Sequence, residues 1–195
     1  MNYNKLSDQE LVSRFVKGDT RSMESLITRH KNKVYTYLML SVKNPHIADD
    51  LFQDTFIKVI NSLKAGKYKD EGRFLSWVIR ISHNLCIDYF RKEKNQNTWS
   101  NDDSEIDIFN SEKFSDKNIE ESLVLDQITE DVRNLIEELP DDQKQVVLLR
   151  HYGGFSFKEI ADQTDVSINT ALGRMRYALI NMRKIIEEKQ INLSI

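Results

Sequence analysis

Apolar residues recur three and four positions apart, the spacing of a buried helix face, in four stretches before residue 94. The clearest stretch follows Asn44-Pro45, a typical N-cap and first helical residue. Its apolar face comprises Ala48, Leu51, Phe52, Thr55, Phe56, Val59, Ile60 and Leu63. Ser7 and Glu10 have the spacing of a capping box, which predicts an earlier helix start. We therefore expect a first all-helical domain over residues 1–93, with later helices over about 21–43, 45–64 and 73–93.

The pattern stops in a polar, acidic stretch over residues 94–122 and returns at Leu123. A segment that is polar, acidic and without period is typical of a flexible linker. Leu139-Pro140 then opens a helix that should end near His151. The sequence thus predicts an all-α chain of two small helical domains, over residues 1–93 and 123–195, joined by a flexible acidic linker.

The second domain contains the pattern of a helix-turn-helix. Ser156 and Glu159 form a second capping box, and the helix that they start lasts about two turns before a short turn around Asp165. Ser167 then caps a long helix, with Ala161 as the small residue where the two helices cross. The face of this long helix that we expect in the core comprises Leu172, Met175, Leu179, Met182 and Ile186.

The other face of that helix carries hydrogen-bonding groups near its N-terminus and arginines beyond them. Such groups are suited to reading base edges in the DNA major groove and to contacting phosphates. The predicted DNA-binding residues are Ser167, Asn169, Thr170, Gly173, Arg174, Arg176 and Tyr177. A helical hairpin with a solvated basic face is the alternative at this point.

Charge and composition narrow the class of protein further. The 195 residues have a net charge of −3, but residues 94–142 alone carry 4 Lys or Arg against 15 Asp or Glu, so two basic ends flank an acidic middle. The single cysteine, Cys86, excludes an intramolecular disulfide and is expected to be a packing residue. No stretch approaches the length of a membrane span. We expect a soluble, cytoplasmic protein that is not an enzyme and needs no cofactor or metal.

Three motifs across the chain resemble the extracytoplasmic-function (ECF) group of bacterial RNA polymerase sigma factors. FLSWVIRISHNLCIDYFRK, residues 74–92, resembles the promoter-melting helix of that family, and IADDLFQDTFIKVI, residues 47–60, resembles its polymerase-docking helix. LPDDQKQVVLLRHYGGFSFKEIADQTDVS, residues 139–167, resembles the start of its second domain. The resemblance implies a sigma factor that binds core polymerase, reads the minus-thirty-five element and melts the minus-ten element.

The family's docking helix binds the clamp helices of the largest polymerase subunit with the face opposite its apolar stripe. In this sequence the matching polymerase-binding residues are Asp49, Asp50, Gln53, Asp54, Ile57 and Lys58. We call these six residues the docking face. Acidic groups suit a basic partner, and an exposed Ile57 would supply apolar area to a contact.

The family's melting helix and the loop before it contact the minus-ten element, and the loop, here Lys67–Gly72, forms a pocket for an extruded base. The matching residues, called the minus-ten set below, are Lys67, Tyr68, Lys69, Trp77, Arg80, Asn84, Asp88 and Arg91. An aromatic ring can support an unpaired base, while Arg and Asn can contact phosphate and base edges. Core packing is the alternative role for Trp77, which also fits the apolar stripe of its helix.

The resemblance also implies partners and marks departures from the family. The implied partners are core polymerase, through the clamp helices and the flap of its second-largest subunit, promoter DNA, and an anti-sigma factor. The acidic linker would thread the RNA channel of polymerase, and a simple tether is the alternative.

The sequence departs from the family pattern at three positions of the long helix. Many relatives carry a basic residue where Leu172 stands, a serine where Gly173 stands and an arginine where Tyr177 stands. A dimeric helix-turn-helix repressor that acts without polymerase is the alternative function.

Overall fold

The computed structural model describes residues 3–69, 71–97 and 131–191, whose regular structure is helical throughout. The described residues fall into two compact units, the first containing the helices up to residue 97 and the second containing most of the described chain after residue 130. The elements are a 3₁₀ helix Tyr3–Lys5, α1 Asp8–Val16, α2 Thr20–Val42, α3 Pro45–Lys64, α4 Phe74–Asn97, a helical segment over 131–137, α5 Asp141–His151, α6 Phe157–Thr164 and α7 Ile168–Lys189.

The helix starts of the first unit follow the capping residues in the sequence. The backbone N–H of Glu10 donates to Ser7 Oγ at 3.3 Å, and the backbone N–H of Ser7 donates to the Glu10 carboxylate at 2.8 Å. At α3, Asn44 Oδ1 accepts from the N–H groups of His46 and Ile47, with Pro45 in the first turn. These contacts satisfy N–H groups that a helix leaves without backbone partners. Both predicted caps are confirmed.

The core of the first unit lies where α2, α3 and α4 pack together, with α1 against α2. Fully buried side chains there include Leu11, Leu26, Tyr37, Leu38, Leu40, Leu63, Phe74 and Ile79. Burial of one such side chain stabilises the fold by about 1.5–3 kcal/mol. The buried Thr55 hydroxyl donates to Ser82 Oγ at 3.2 Å and so joins α3 to α4 without leaving a buried polar group unpaired.

Helix α4 continues to Asn97, four residues beyond the end that we expect from its apolar pattern. Its last residues include Lys92, Glu93 and Lys94, which favour helices and contain no breaker, so hydrogen bonding continues after the apolar face has ended. The rest of the predicted linker over 94–122 and the predicted helix start at Leu123 lie outside the described residues. The domain boundaries therefore stay predictions.

The second unit contains the predicted helix-turn-helix. Ser156 and Glu159 form the capping box of α6, and Ser167 Oγ accepts from the N–H of Thr170 to cap α7. Between them Asp165 adopts the left-handed conformation at φ 52°, which Asp tolerates better than most residues. Ala161 is buried at the crossing, as expected of a small residue there.

The predicted core face of α7 is wrong. Leu172 and Leu179 are 44% and 47% exposed, whereas Ala171 and Ala178 are completely buried. Met175 and Met182 are only partly exposed and border both faces. Alanine lacks a long side chain, so a helix can approach its neighbours closely along an alanine face. The true core face is thus displaced by about one residue from the predicted one, and leucines point outward instead.

Candidate functional site

All six residues of the docking face are exposed in the first unit. They lie on one side of α3, because the opposite side buries Ala48, Leu51, Thr55, Phe56, Val59 and Leu63 in the core. Ile57, which lies between Asp54 and Lys58 in the sequence, is 54% exposed. On this side of α3 an aliphatic side chain is thus exposed beside Asp54, where it could supply apolar area to a contact with a basic partner.

One carboxylate of the docking face already has a partner within the chain. The Tyr35 hydroxyl of α2 hydrogen-bonds to Asp49. The pKa of Tyr35 is raised, mainly because the side chain is partly buried and also because of this hydrogen bond. Asp49 nevertheless stays exposed, as do Asp50 and Asp54. Sequence reasoning did not find Tyr35, since the contact joins two helices.

The minus-ten set centres on an aromatic cluster where the loop after α3 meets the start of α4. The ring centroids of Tyr68 and Trp77 are 4.5 Å apart, and each ring lies about 6 Å from the buried Phe74. Tyr68 and Trp77 are themselves only partly buried. Trp77 thus packs on the core, as its alternative role requires, and also keeps part of its ring exposed. Its contact with a base stays a prediction.

The other members of the minus-ten set continue this surface along α4. Residues 77, 80, 84, 88 and 91 follow one another at three- and four-residue intervals and so share a face of the helix. Asn84, Asp88 and Arg91 are exposed and Arg80 is half-buried. Asp88 and Arg91 form an exposed ion pair with the nearest N and O atoms 3.8 Å apart. Lys67 and Lys69 are exposed in the loop.

The predicted DNA-binding residues of α7 divide into three groups. Asn169, Arg176 and Tyr177 are exposed, and Gly173 lies on the same outward side. Ser167 and Thr170 are exposed too, but their hydroxyls hydrogen-bond to each other at 2.8 Å within the cap. Arg174 differs from the others, because its guanidinium forms an ion pair with Asp142 of α5 at 2.6 Å, and its contact with DNA stays a prediction.

Exposed apolar residues are the feature of α7 that sequence reasoning missed. Ile168, Leu172, Leu179 and Ile180 are each 44–47% exposed. A groove of about 440 Å³ is lined by Phe157, Leu172, Met175, Arg176, Leu179, Ile180 and Arg183. The seven-residue spacing of Ala171 and Ala178 was the sequence feature that indicated the core face that α7 actually buries.

Other kinds of site find little support in the described part of the chain. Within residues 3–69, 71–97 and 131–191, no three His, Cys, Asp or Glu side chains are grouped to hold a metal ion. None of the helices in these ranges is long and apolar enough to cross a membrane. Cys86 is buried in α4, in agreement with its expected packing role.

Two family models match this chain, and together they cover more than half of it. Sigma-70 region 2 matches residues 26–96, and Sigma-70, region 4 matches residues 129–176. The first match contains the docking face and the minus-ten set, and the second contains the helix-turn-helix up to Arg176.

Curated relatives agree over nearly the whole length. The chain is 29% identical over 189 residues to the ECF RNA polymerase sigma-E factor of Haemophilus influenzae, which covers 95% of this chain and 96% of the relative. It is 27% identical over 178 residues to the sigma-E factor of Escherichia coli K12, which covers 88% and 90% of the two chains.

Solved structures share the fold at lower identity. CnrH in complex with the cytosolic domain of CnrY has a TM-score of 0.59 at 19% identity and covers 93% of this chain and 97% of CnrH. RpoE of Bartonella quintana in complex with the anti-sigma factor NepR has a TM-score of 0.63 at 16% identity. The match covers 84% of this chain and 96% of the RpoE chain.

The chain therefore belongs to the sigma-70 family and is an ECF-type sigma factor. Such a protein binds core RNA polymerase and directs it to initiate at specific promoters. Sigma factors are regulatory DNA-binding proteins rather than enzymes. The comparisons give no support to the alternative of a polymerase-independent repressor.

Proposed function

We propose that the functions of this sigma factor divide between its two units. The first unit, predicted over residues 1–93, binds core polymerase through the docking face and melts the minus-ten element through the minus-ten set. The second, predicted over residues 123–195, binds the minus-thirty-five element through the outward side of α7. The single observation that carries the proposal is that all six docking-face residues are exposed on one side of α3, where acidic groups and the aliphatic Ile57 lie together.

The docking face is suited to a basic partner helix. Its acidic residues would draw such a partner in and set its orientation, while Ile57 would supply buried apolar area. We assign this face to the clamp helices of the largest polymerase subunit, and a surface of the second unit to the flap of the second-largest subunit. Both assignments extend the family resemblance to residues of this chain.

A double substitution tests the docking face. Asp54→Lys with Ile57→Glu should abolish association with core polymerase while the helix content stays unchanged, because it reverses one charge and removes the apolar contact. Two changes are needed, since single exposed charges often contribute only about 0–1 kcal/mol. The matched control is Glu24→Lys with Val16→Glu, which makes the same chemical changes at another exposed carboxylate and at an aliphatic residue that is 56% exposed. Unchanged capture of core polymerase by the double variant would refute the assignment.

The minus-ten set offers a place for an unpaired base. The accessible parts of Tyr68 and Trp77 supply aromatic surface for stacking, and Lys67 and Lys69, which flank Tyr68 in the loop, add positive charge. Opening DNA costs a few kcal/mol for each base that leaves the stack. Binding of the extruded base would offset this cost, so no hydrolysis is required.

Regulation and location follow from the same proposal. The structural neighbour RpoE from Bartonella quintana is in complex with an anti-sigma factor. We propose that an anti-sigma factor also binds this chain and holds it inactive in the cytoplasm. The net charge of −3 gives the free chain little attraction to DNA, so promoter binding should require polymerase. Tight, sequence-specific binding by the isolated chain at physiological salt would contradict this.

A further inference from the structure

The outward side of α7 presents leucine where hydrogen-bonding residues would be expected. Leu172 is 44% exposed, although the neighbouring Ala171 is completely buried. It follows Asn169 by three residues and precedes Arg176 by four, so the three side chains lie on neighbouring turns of one side of the helix. An apolar side chain at the centre of a polar DNA-reading surface needs an explanation of its own.

The surroundings of Leu172 leave room for a close approach. A Cβ atom built on the adjacent Gly173 would meet nothing within 4 Å, so the backbone is uncovered there. Leu172 also lines the shallow groove of about 440 Å³, whose cationic residues are Arg176 and Arg183. Open backbone, an apolar side chain and two guanidinium groups together suit a polyanion that carries a small apolar group.

Leucine has no donor or acceptor and cannot read a base edge by hydrogen bonding. The one apolar group that B-DNA presents in its major groove is the C5-methyl group of thymine. Resting on the assignment of α7 to the minus-thirty-five element, we propose that Leu172 contacts the methyl group of one thymine in that element. Leu172 thereby determines specificity for thymine at that position.

The experiment uses this chain assembled with core polymerase. Duplexes with randomised minus-thirty-five positions are first selected by the holoenzyme. Each thymine of the selected site is then replaced by deoxyuridine, which removes only the methyl group and keeps the base pair. We expect one replacement to weaken binding about fourfold, the effect of losing one buried methyl group. The Leu172→Ala holoenzyme should bind the thymine and uracil duplexes equally.

Leu179→Ala is the matched control. Leu179 is 47% exposed and lines the same groove, but it lies seven residues, or about 10 Å, further along the helix. We expect this variant to retain the fourfold response to deoxyuridine. Equal loss of binding by both leucine variants, with no response to deoxyuridine in the unsubstituted holoenzyme, would overturn the proposal and indicate that a protein partner covers the groove.

Failure of this inference is distinguishable from failure of the proposed function. If Arg176→Ala weakens promoter binding while every deoxyuridine duplex binds like its thymine parent, α7 reads DNA and only the role of Leu172 is wrong. If Arg176→Ala and Asn169→Ala both bind normally, the assignment of α7 is wrong and the inference falls with it.

Discussion

The guanidinium of Arg174 lies 2.6 Å from the carboxylate of Asp142 and so ties α7 to the first turn of α5. The Arg174 side chain is only 23% exposed as a result. Arg176, two residues later, points to the other side of the helix and is exposed. The two arginines that look equivalent in the sequence therefore have different surroundings, since Arg174 is paired with Asp142 and Arg176 is exposed.

This difference predicts different responses to salt. Arg174→Ala should leave the slope of log affinity against log salt unchanged for promoter binding by the holoenzyme, because no phosphate contact is lost. It should lower the free energy of unfolding by up to about 1 kcal/mol, the usual value of a partly exposed ion pair. Arg176→Ala should weaken binding by about 1–3 kcal/mol without destabilising the protein. A slope reduced by about one for Arg174→Ala would instead assign it a phosphate contact.

A second prediction separates duplex reading from melting. Asn84→Ala should form the closed complex normally but open the minus-ten region poorly, since Asn84 lies on the exposed melting face of α4. Arg176→Ala should show the reverse and still initiate on a template that is already open. Permanganate footprinting of unpaired thymines on duplex and pre-melted templates measures both. Equal defects of the two variants on both templates would refute the division of functions.

Features that depend on residues within one helical turn could be predicted from the sequence. The two capping boxes, at Ser7 and Ser156, involve partners three residues away, and both are present. The exposure of the docking face could also be predicted, because α3 has a single row of apolar residues at helical spacing and that row determines which side of the helix is buried.

The face of α7 could not be fixed in this way. Apolar residues occur there in adjacent pairs, such as Ala171 with Leu172 and Ala178 with Leu179, so two stripes fit the helical period equally well. Packing of α7 against the rest of its unit decides between them and selects the alanines. The Arg174–Asp142 pair was missed for a related reason, since its members are 32 residues apart.

A third prediction concerns the single thiol. Cys86 is 4% exposed, and burial raises its pKa to about 12, so little reactive thiolate forms near neutral pH. Iodoacetamide at pH 8 should leave the native protein unmodified for hours and label it completely in urea, as measured by mass spectrometry. Val16→Cys, at a position 56% exposed, is the control and should gain one label in the native state. Rapid native labelling of Cys86 would show that this part of α4 opens readily.

The last prediction is a pH dependence located at His30. This α2 residue is 8% exposed, its Nε2 lies 2.8 Å from the Asp8 carboxylate, and its ring centroid is 5.6 Å from that of Phe74. Burial lowers the pKa of His30 by disfavouring the imidazolium, and Arg29 and Lys33 add to this, while Asp8 opposes it. The net direction is downward, so the unfolded chain binds a proton more readily than the folded one.

The stabilising contribution of neutral His30 is therefore complete above the unfolded pKa of about 6.5 and is lost as the pH falls through the lowered folded value. We expect the free energy of unfolding of the unsubstituted protein to fall by up to about 1.4 kcal/mol per pH unit below pH 6.5 relative to His30→Gln, whose glutamine can still donate to Asp8. Urea unfolding followed by circular dichroism at pH 7.5, 6.5 and 5.5 measures the difference. His46→Gln, at an exposed histidine, serves as the control and should keep the unsubstituted slope. If the unsubstituted protein gained stability over His30→Gln on acidification, the attraction of Asp8 would outweigh burial and the direction argued for His30 would be reversed.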